Sequence, residues 1–259
     1  MLFSVINMTT IHRITDAESP DLNIGARLIA DAFAGDVWPR GSTPAVLAWR
    51  TEVLARGVKL GNMGKPARVY VAKDVSGSVI GVTYWAATST EDPSSKWKDL
   101  VPPPAYPTAN GDMDEELWKY YQGAFERARL DVCDVDHRVG EGRIAIRGCI
   151  GIGFRLINLT LLIIITDLNF LVVHPEAQRS GAGTMLLEKC IQEVGTQAGP
   201  IFLISAATPS AGPFYAKKGL VELQSKDLQQ CKGFPDSTRK FGAWVWRGSD
   251  NTSRGSTRT

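Results

Sequence analysis

Apolar and polar positions fall along this chain in runs that name its elements one at a time. Ile11 to Thr15 reads as a short first strand. From Pro20-Asp21 onward Leu22, Ala26, Ile29, Ala30 and Phe33 recur near the helical period, and Gly35 stands just beyond, so the spacing predicts a helix through Phe33. Ser42-Thr43-Pro44 offers an N-cap followed by a proline at a first turn, which starts a second helix running to about Arg56. Arg68 to Lys73 and Val79 to Trp85 flank a Ser-Gly-Ser turn and predict a hairpin. Asp167 to Val173 is an apolar strand that enters a proline turn and then an apolar-periodic helix. Ile201 to Ser205 is a short buried strand, and Leu220 to Leu223 with Phe241 to Trp246 form a closing antiparallel pair joined by the polar stretch 224–240.

Between Glu91 and Asp136 the pattern changes. Pro102-Pro103-Pro104-Ala105-Tyr106-Pro107 is a stiff polyproline stretch suited to a surface loop. Asp114-Glu115-Glu116 opens a helix through about Leu130, with Leu117, Tyr120, Tyr121, Ala124 and Ala128 on its apolar face. Gly142 to Thr166 then holds eight isoleucines and three arginines but no Asp, Glu or Lys. Its apolar core is too short for a membrane span, which needs about 20 apolar residues. Two readings remain for it, an additional buried strand or a translated intron. Val139 permits a donor-like codon, Asn158-Leu159-Thr160 a branch point and Thr166-Asp167 an acceptor. Residues 139–166 can therefore be retained without a frame shift, as a poorly packed apolar insert.

Composition narrows the class. The chain has 259 residues, 29 basic against 27 acidic, so no broad positive field predicts nucleic-acid binding. Cys133, Cys149, Cys190 and Cys231 are scattered without metal-ligand or disulfide spacing. No metal site is expected, and a reducing compartment is, cytosolic or nuclear, with no membrane association. The expected organisation is an N-terminal extension over 1–10, one domain over 11–247 and a disordered tail over 248–259.

The chemistry concentrates in Val172-Val173-His174-Pro175-Glu176-Ala177-Gln178-Arg179-Ser180-Gly181-Ala182-Gly183. A strand, a glycine-bearing turn and a helix start present unsatisfied backbone N–H groups at the positive end of a helix dipole. Gly181 and Gly183 let a diphosphate approach the main chain, and Arg179 adds charge. A plain polar loop ahead of an amphipathic helix is the competing reading. The spacing matches neither a nucleoside-triphosphate P-loop nor a dinucleotide fingerprint.

Gln178-Arg179-Ser180-Gly181-Ala182-Gly183 resembles the pyrophosphate loop of the GNAT-superfamily N-acetyltransferases, Gln/Arg-x-x-Gly-x-Gly/Ala, and Leu171-Val172-Val173-His174-Pro175 resembles the strand before it. A second stretch, Thr208 to Leu220, resembles that family's short helix ending in Tyr-x-x-x-Gly. The resemblance covers 167–223. It implies an α/β (α+β type) GNAT fold, a mixed central sheet flanked by helices in a single domain with an insert over 91–166, and a fungal-type small-molecule enzyme. It implies acetyl-CoA as co-substrate, its diphosphate on Gln178, Arg179, Ser180, Gly181, Ala182, Gly183 and Thr184, its pantetheine along Leu171, Val172 and Val173, and a further contact at Thr208. Thr208 stands where the family often has Asn, and Leu220 where Phe is common. Tyr215 is implied as the general acid for the departing thiolate, and a strand N–H near Leu171 or Val172 as the group polarising the thioester.

No general base is evident. Glu91 and Asp92 follow the hairpin and are candidates only through water; His174 is not used as a base by the family. Cys190 lies within the helix and reads as core. Phe33, Asp36, Val37, Trp38, Pro39, Arg40 and Trp85 either wall the acceptor pocket or close the core. The expected activity is acetyl transfer to a small-molecule or protein amine. The alternatives are an inactive CoA-binding module and a non-functional isoform carrying the apolar insert.

Overall fold

A computed structural model describes residues 8–33, 42–89, 101–107, 164–195, 201–207, 211–227 and 240–246. The β-branched and aromatic runs pair as strands: β1 (Thr10–Arg13), β2 (Ala67–Lys73), β3 (Val79–Ser89), β4 (Ile164–Val173), β5 (Ile201–Ala207), β6 (Val221–Asp227) and β7 (Lys240–Trp246). Their order across the sheet is β1-β2-β3-β4-β5-β7-β6. Only β4 and β5 run parallel; the other neighbours are antiparallel. The β2–β3 turn is tied by the Asp74 carboxylate, which accepts from the backbone N–H groups of Ser76 and Ser78. Gly77 there takes φ +83°, the left-handed region that glycine enters without a Cβ penalty.

Helices cover both faces. α1 (Pro20–Ala32) and α2 (Pro44–Asn62) bury Leu22, Ala26, Ile29, Leu54 and Val58 against Val69, Val71, Val82 and Tyr84. On the opposite face α3 (Ala182–Gly195) and α4 (Ala211–Lys217) pack Leu186, Leu187, Cys190 and Tyr215 against Trp85, Leu168, Leu203 and Trp244. Thr43 caps α2 by accepting from the Val46 N–H at 3.3 Å. This is the mixed central sheet flanked by helices that the sequence predicts.

Several boundaries differ from expectation; β3, for one, runs four residues past Trp85 to Ser89. α2 continues six residues past Arg56, because Gly57 and Gly61 lie inside it rather than ending it. Both permit close approach: a Cβ at Gly57 would stand 2.6 Å from the Tyr84 ring, and one at Gly61 2.5 Å from the Ala67 carbonyl oxygen. β6 extends to Asp227 as the partner of β7, shortening the polar connection. β4 begins at Ile164, so 164–166 of the apolar segment pair with Ala87, Thr88 and Ser89. Residues 139–163, the helix expected from Asp114, and both chain ends lie outside the described residues.

Candidate active site

The strand β4 is paired along β3 for its whole length, but its pairing with β5 stops after Thr166↔Ile201 and Asp167↔Phe202. Among the described residues, Leu168 to Val173 have no strand partner on that side. β4 therefore presents an open edge where a parallel neighbour would continue. The ladder to β3 slips between Tyr84 and Trp85: Tyr84 opposes Phe170 and Trp85 opposes Leu168, leaving Asn169 as the extra residue of a β-bulge. The bulge resets the alternation of faces. Phe170 and Val172 pack toward α1 and α2, whereas Leu168, Leu171 and Val173 pack toward α3 and α4.

The chain leaves this edge directly into the glycine loop. His174 donates its N–H to Ile80 O at 2.8 Å, and its ring Nδ1 accepts from Glu176 N at 3.3 Å, so this imidazole caps a 3-10 turn over Pro175–Ala177. Arg179 and Gly181 take φ +66° and +93°. The first helical bond of α3 runs from Met185 N to Gly181 O, and Ser180 Oγ accepts from Ala182 N at 3.4 Å. The N–H groups of Gly183 and Thr184 thus precede any intrahelical partner and project from the helix end.

A Cβ at Gly181 would meet nothing within 4 Å, so the space over the loop is open, and the glycine answers the positive φ. Gly183 serves packing instead, 3.4 Å from Val173 Cγ2 at its Cβ position. Ala182 is buried. Gln178, Arg179, Ser180 and Gly181 are exposed, and Leu171, Val172, Val173 and Thr184 are half-buried. These ten follow one another along the chain from the strand edge to the helix start, interrupted by the turn at 174–177. Thr208 lies outside the described residues.

Tyr215, on α4, is 7% exposed and packs edge-on to Phe214 (5.1 Å) and tilted on Trp244 (5.9 Å). Its hydroxyl has no hydrogen-bond partner among the described residues, unusual for a buried phenol. Burial pushes its pKa up, so the proton stays on oxygen through the neutral range.

Two buried groups escaped the sequence reading. Asp167 is 6% exposed and sits at the last residue of β4 that pairs with β5. It opposes Ala86 across β3 and shares the α1/α2 face with it, since directly opposed residues share a face. Burial raises the Tyr84 hydroxyl, with Arg56 opposing and Asp167 reinforcing that shift. A single carboxylate opening an apolar strand was the available signal. Arg50 is 1% exposed, with its guanidinium 4.5 Å from the Trp49 ring, 4.6 Å from Phe170 and 6.0 Å from Phe33. Desolvation lowers its pKa well below the usual arginine value. Its place on the helical stripe of Val46 and Leu54 was the clue.

The remaining candidates separate cleanly. Trp85 is fully buried under α3 and belongs to the core, not to a pocket wall. Cys190 is buried with its thiol pushed up by desolvation, which leaves it unreactive. Phe33 lies 6.4 Å from Phe170, ring centroid to centroid. Asp36, Val37, Trp38, Pro39, Arg40, Glu91 and Asp92 fall outside the described residues. Those residues that are described include no helix long and apolar enough to cross a membrane.

Residues 151–235 match the family model described as acetyltransferase (GNAT) domain. Over that third of the chain the sequence is similar to a GNAT acetyltransferase domain, which supports acyl transfer as the general chemistry. The GNAT fold is seen again in solved structures. Arylalkylamine N-acetyltransferase 2 from Aedes aegypti is 11% identical with a TM-score of 0.56, over 93% of this chain and 99% of that one. The Drosophila melanogaster polyamine N-acetyltransferase is 12% identical with a TM-score of 0.51, over 93% and 100%. Mosquito arylalkylamine N-acetyltransferase like 5b is 14% identical with a TM-score of 0.50, over 92% and 99%. At such identities the likeness is one of fold. No curated protein matches the sequence.

Proposed function

We propose that this chain is an N-acetyltransferase that moves an acetyl group from acetyl-CoA to a small amine by direct attack. The observation that carries the reading is the departure of β5 from β4 after Phe202, which leaves an open strand edge leading into the Gly181 loop. A slender chain ending in a diphosphate fits that outline: an edge for amide pairing, then clear space over helix N–H groups. Leu171, Val172 and Val173 would hold the pantetheine, and Gln178 to Thr184 the diphosphate. Acetyl-CoA, when bound, supplies the thioester whose acetyl group is transferred.

The chain's own groups divide by face. Asp167 lies on the α1/α2 side of the sheet and Tyr215 on the α3/α4 side, with the open edge between. Asp167 takes the proton of the incoming amine, directly or through water. Tyr215 keeps its own proton until a sulfur leaving group needs it, then donates from its hydroxyl. Strand N–H groups near Leu171 or Val172 polarise the carbonyl. Holding both substrates in line contributes much of the rate. The solved relatives named for arylalkylamines and a polyamine support a small amine acceptor rather than a nucleic acid. A single domain over 11–247 in a reducing compartment, cytosolic or nuclear, completes the proposal, and the buried free thiol of Cys190 supports that compartment.

The test is release of CoA thiol from acetyl-CoA against a panel of arylalkylamines, polyamines and peptide N-termini. Amine-dependent release supports the reading. Binding of acetyl-CoA without transfer to any acceptor would make the chain a CoA-binding module instead, and absence of both would remove the reading.

A further inference from the structure

The bulge at Asn169 interrupts the β3–β4 ladder beside the open edge, and two side chains converge on the residue after it. Thr83 Oγ1 donates to the Phe170 carbonyl oxygen at 2.9 Å. From the other face the Arg50 guanidinium lies 4.6 Å from the Phe170 ring centroid. Thr83 is 0% exposed. Its neighbours along β3 are Val82 and Tyr84, and a valine would fill the same volume. A buried hydroxyl costs free energy unless it makes a hydrogen bond, so the bond to Phe170 is the physical reason for threonine here. A bulge takes a residue out of the ladder and frees the groups beside it from regular pairing. A hydroxyl from the neighbouring strand removes that freedom.

We propose that Thr83 is a positioning residue of the acetyl-transfer site: by anchoring the Phe170 carbonyl it fixes the Asn169 bulge and, through the same peptide plane, the direction of the Leu171 N–H group. This rests on the acetyl-transfer reading above. Thr83 touches neither substrate. It acts on the strand, and the strand acts on the thioester carbonyl. Its loss therefore leaves the diphosphate loop alone and disturbs only the end of the ligand that reacts.

The experiment uses full-length protein and acetyl-CoA labelled with 13C at the acetyl carbonyl, in wild type, Thr83→Val and Thr83→Ser. CoA affinity is measured by calorimetry, the carbonyl resonance by NMR, and turnover with whichever amine the panel selects. Wild type is expected to move the carbonyl resonance downfield of its free position. Thr83→Val should bind CoA like wild type while the resonance returns toward the free value and kcat falls by about tenfold to a hundredfold. Thr83→Ser, which keeps the hydroxyl, should restore both. A valine variant with the wild-type resonance and kcat overturns the proposal. So does a uniform fall in affinity for CoA and acetyl-CoA that serine fails to rescue, since that marks a purely structural role. Should the valine variant not fold, Thr83→Ala carries the same comparison. A wild type that binds neither ligand defeats the acetyl-transfer reading itself, a result distinct from either.

Discussion

Residues 174–184 and the open edge of β4 adjoin along the chain but are held by different means. In the loop most of the hydrogen bonding is local: the His174 ring caps Glu176, Ser180 Oγ accepts from Ala182 N, and Arg179 and Gly181 take positive φ, while the His174 N–H reaches Ile80 O on β3. At the strand edge the contacts come from far along the chain. Thr83 reaches Phe170 across 87 positions, Arg50 packs on the same ring, and Gly57 makes room for Tyr84, whose ring lies 6.4 Å from Phe170. A loop built locally can lose its ligand without loosening the fold. An edge built from distant contacts ties ligand geometry to packing.

That difference orders the expected effects. The largest falls on Tyr215→Phe, which removes the donor: kcat should drop by about a hundredfold or more. Acetyl-CoA affinity and melting temperature should barely change, because the hydroxyl has no described partner to lose. Equal turnover in the two proteins would take Tyr215 out of the chemistry. Asp167→Asn comes next, with kcat down by about tenfold to a hundredfold at neutral pH. Part of the loss should return as pH rises and the amine deprotonates unaided; a loss that does not vary with pH would deny Asp167 the role of base.

Two stability measurements sharpen the contrast. Gly57→Ala places a methyl 2.6 Å from the Tyr84 ring. Against an overpacking cost of about 1–3 kcal/mol stands a helix-propensity gain of about 1 kcal/mol, for a net loss of up to about 2 kcal/mol in denaturant unfolding. An alanine variant as stable as wild type would show that the edge yields locally.

The smallest effect is alkaline. Burial raises Tyr84 and Tyr215, and raises Tyr70 to about 12 with help from its hydrogen bond to Glu193. Each raised phenol contributes stability that is whole below its unfolded pKa of about 10 and is lost as pH climbs toward the folded value. Melting temperature should therefore fall more steeply above about pH 10, and Tyr215→Phe should flatten that fall. Parallel slopes would mean that its hydroxyl titrates as if exposed.

The same division explains what the sequence disclosed. Gln178 to Gly183 and the Tyr215 helix were legible because turn chemistry and helix starts are written in adjacent residues. The hairpin around Gly77 and the closing pair β6–β7 were legible for the same reason. The Asn169 bulge was not, since it depends on which residue of β3 faces which residue of β4, a register set by the whole sheet. Arg50 was hidden by its charge: on the apolar stripe of α2 it is buried under aromatic rings instead of turning to solvent. Asp167 was passed over for Glu91 and Asp92, because a carboxylate inside an apolar run gives no hint of which face it will take. The run of α2 past Arg56 was not legible either, since the close approach that Gly57 and Gly61 allow depends on Tyr84 and Ala67 far along the chain.

The central claim is that the loop and the open edge receive acetyl-CoA. Calorimetric titration of wild type and Gly181→Glu tests it most directly, since a Cβ at 181 enters open space over the loop, the cost being the strain of a side chain at positive φ. The account predicts saturable acetyl-CoA binding by wild type and none by a Gly181→Glu protein that still melts cooperatively. Equal binding by the two proteins, or none by a folded wild type, would contradict it.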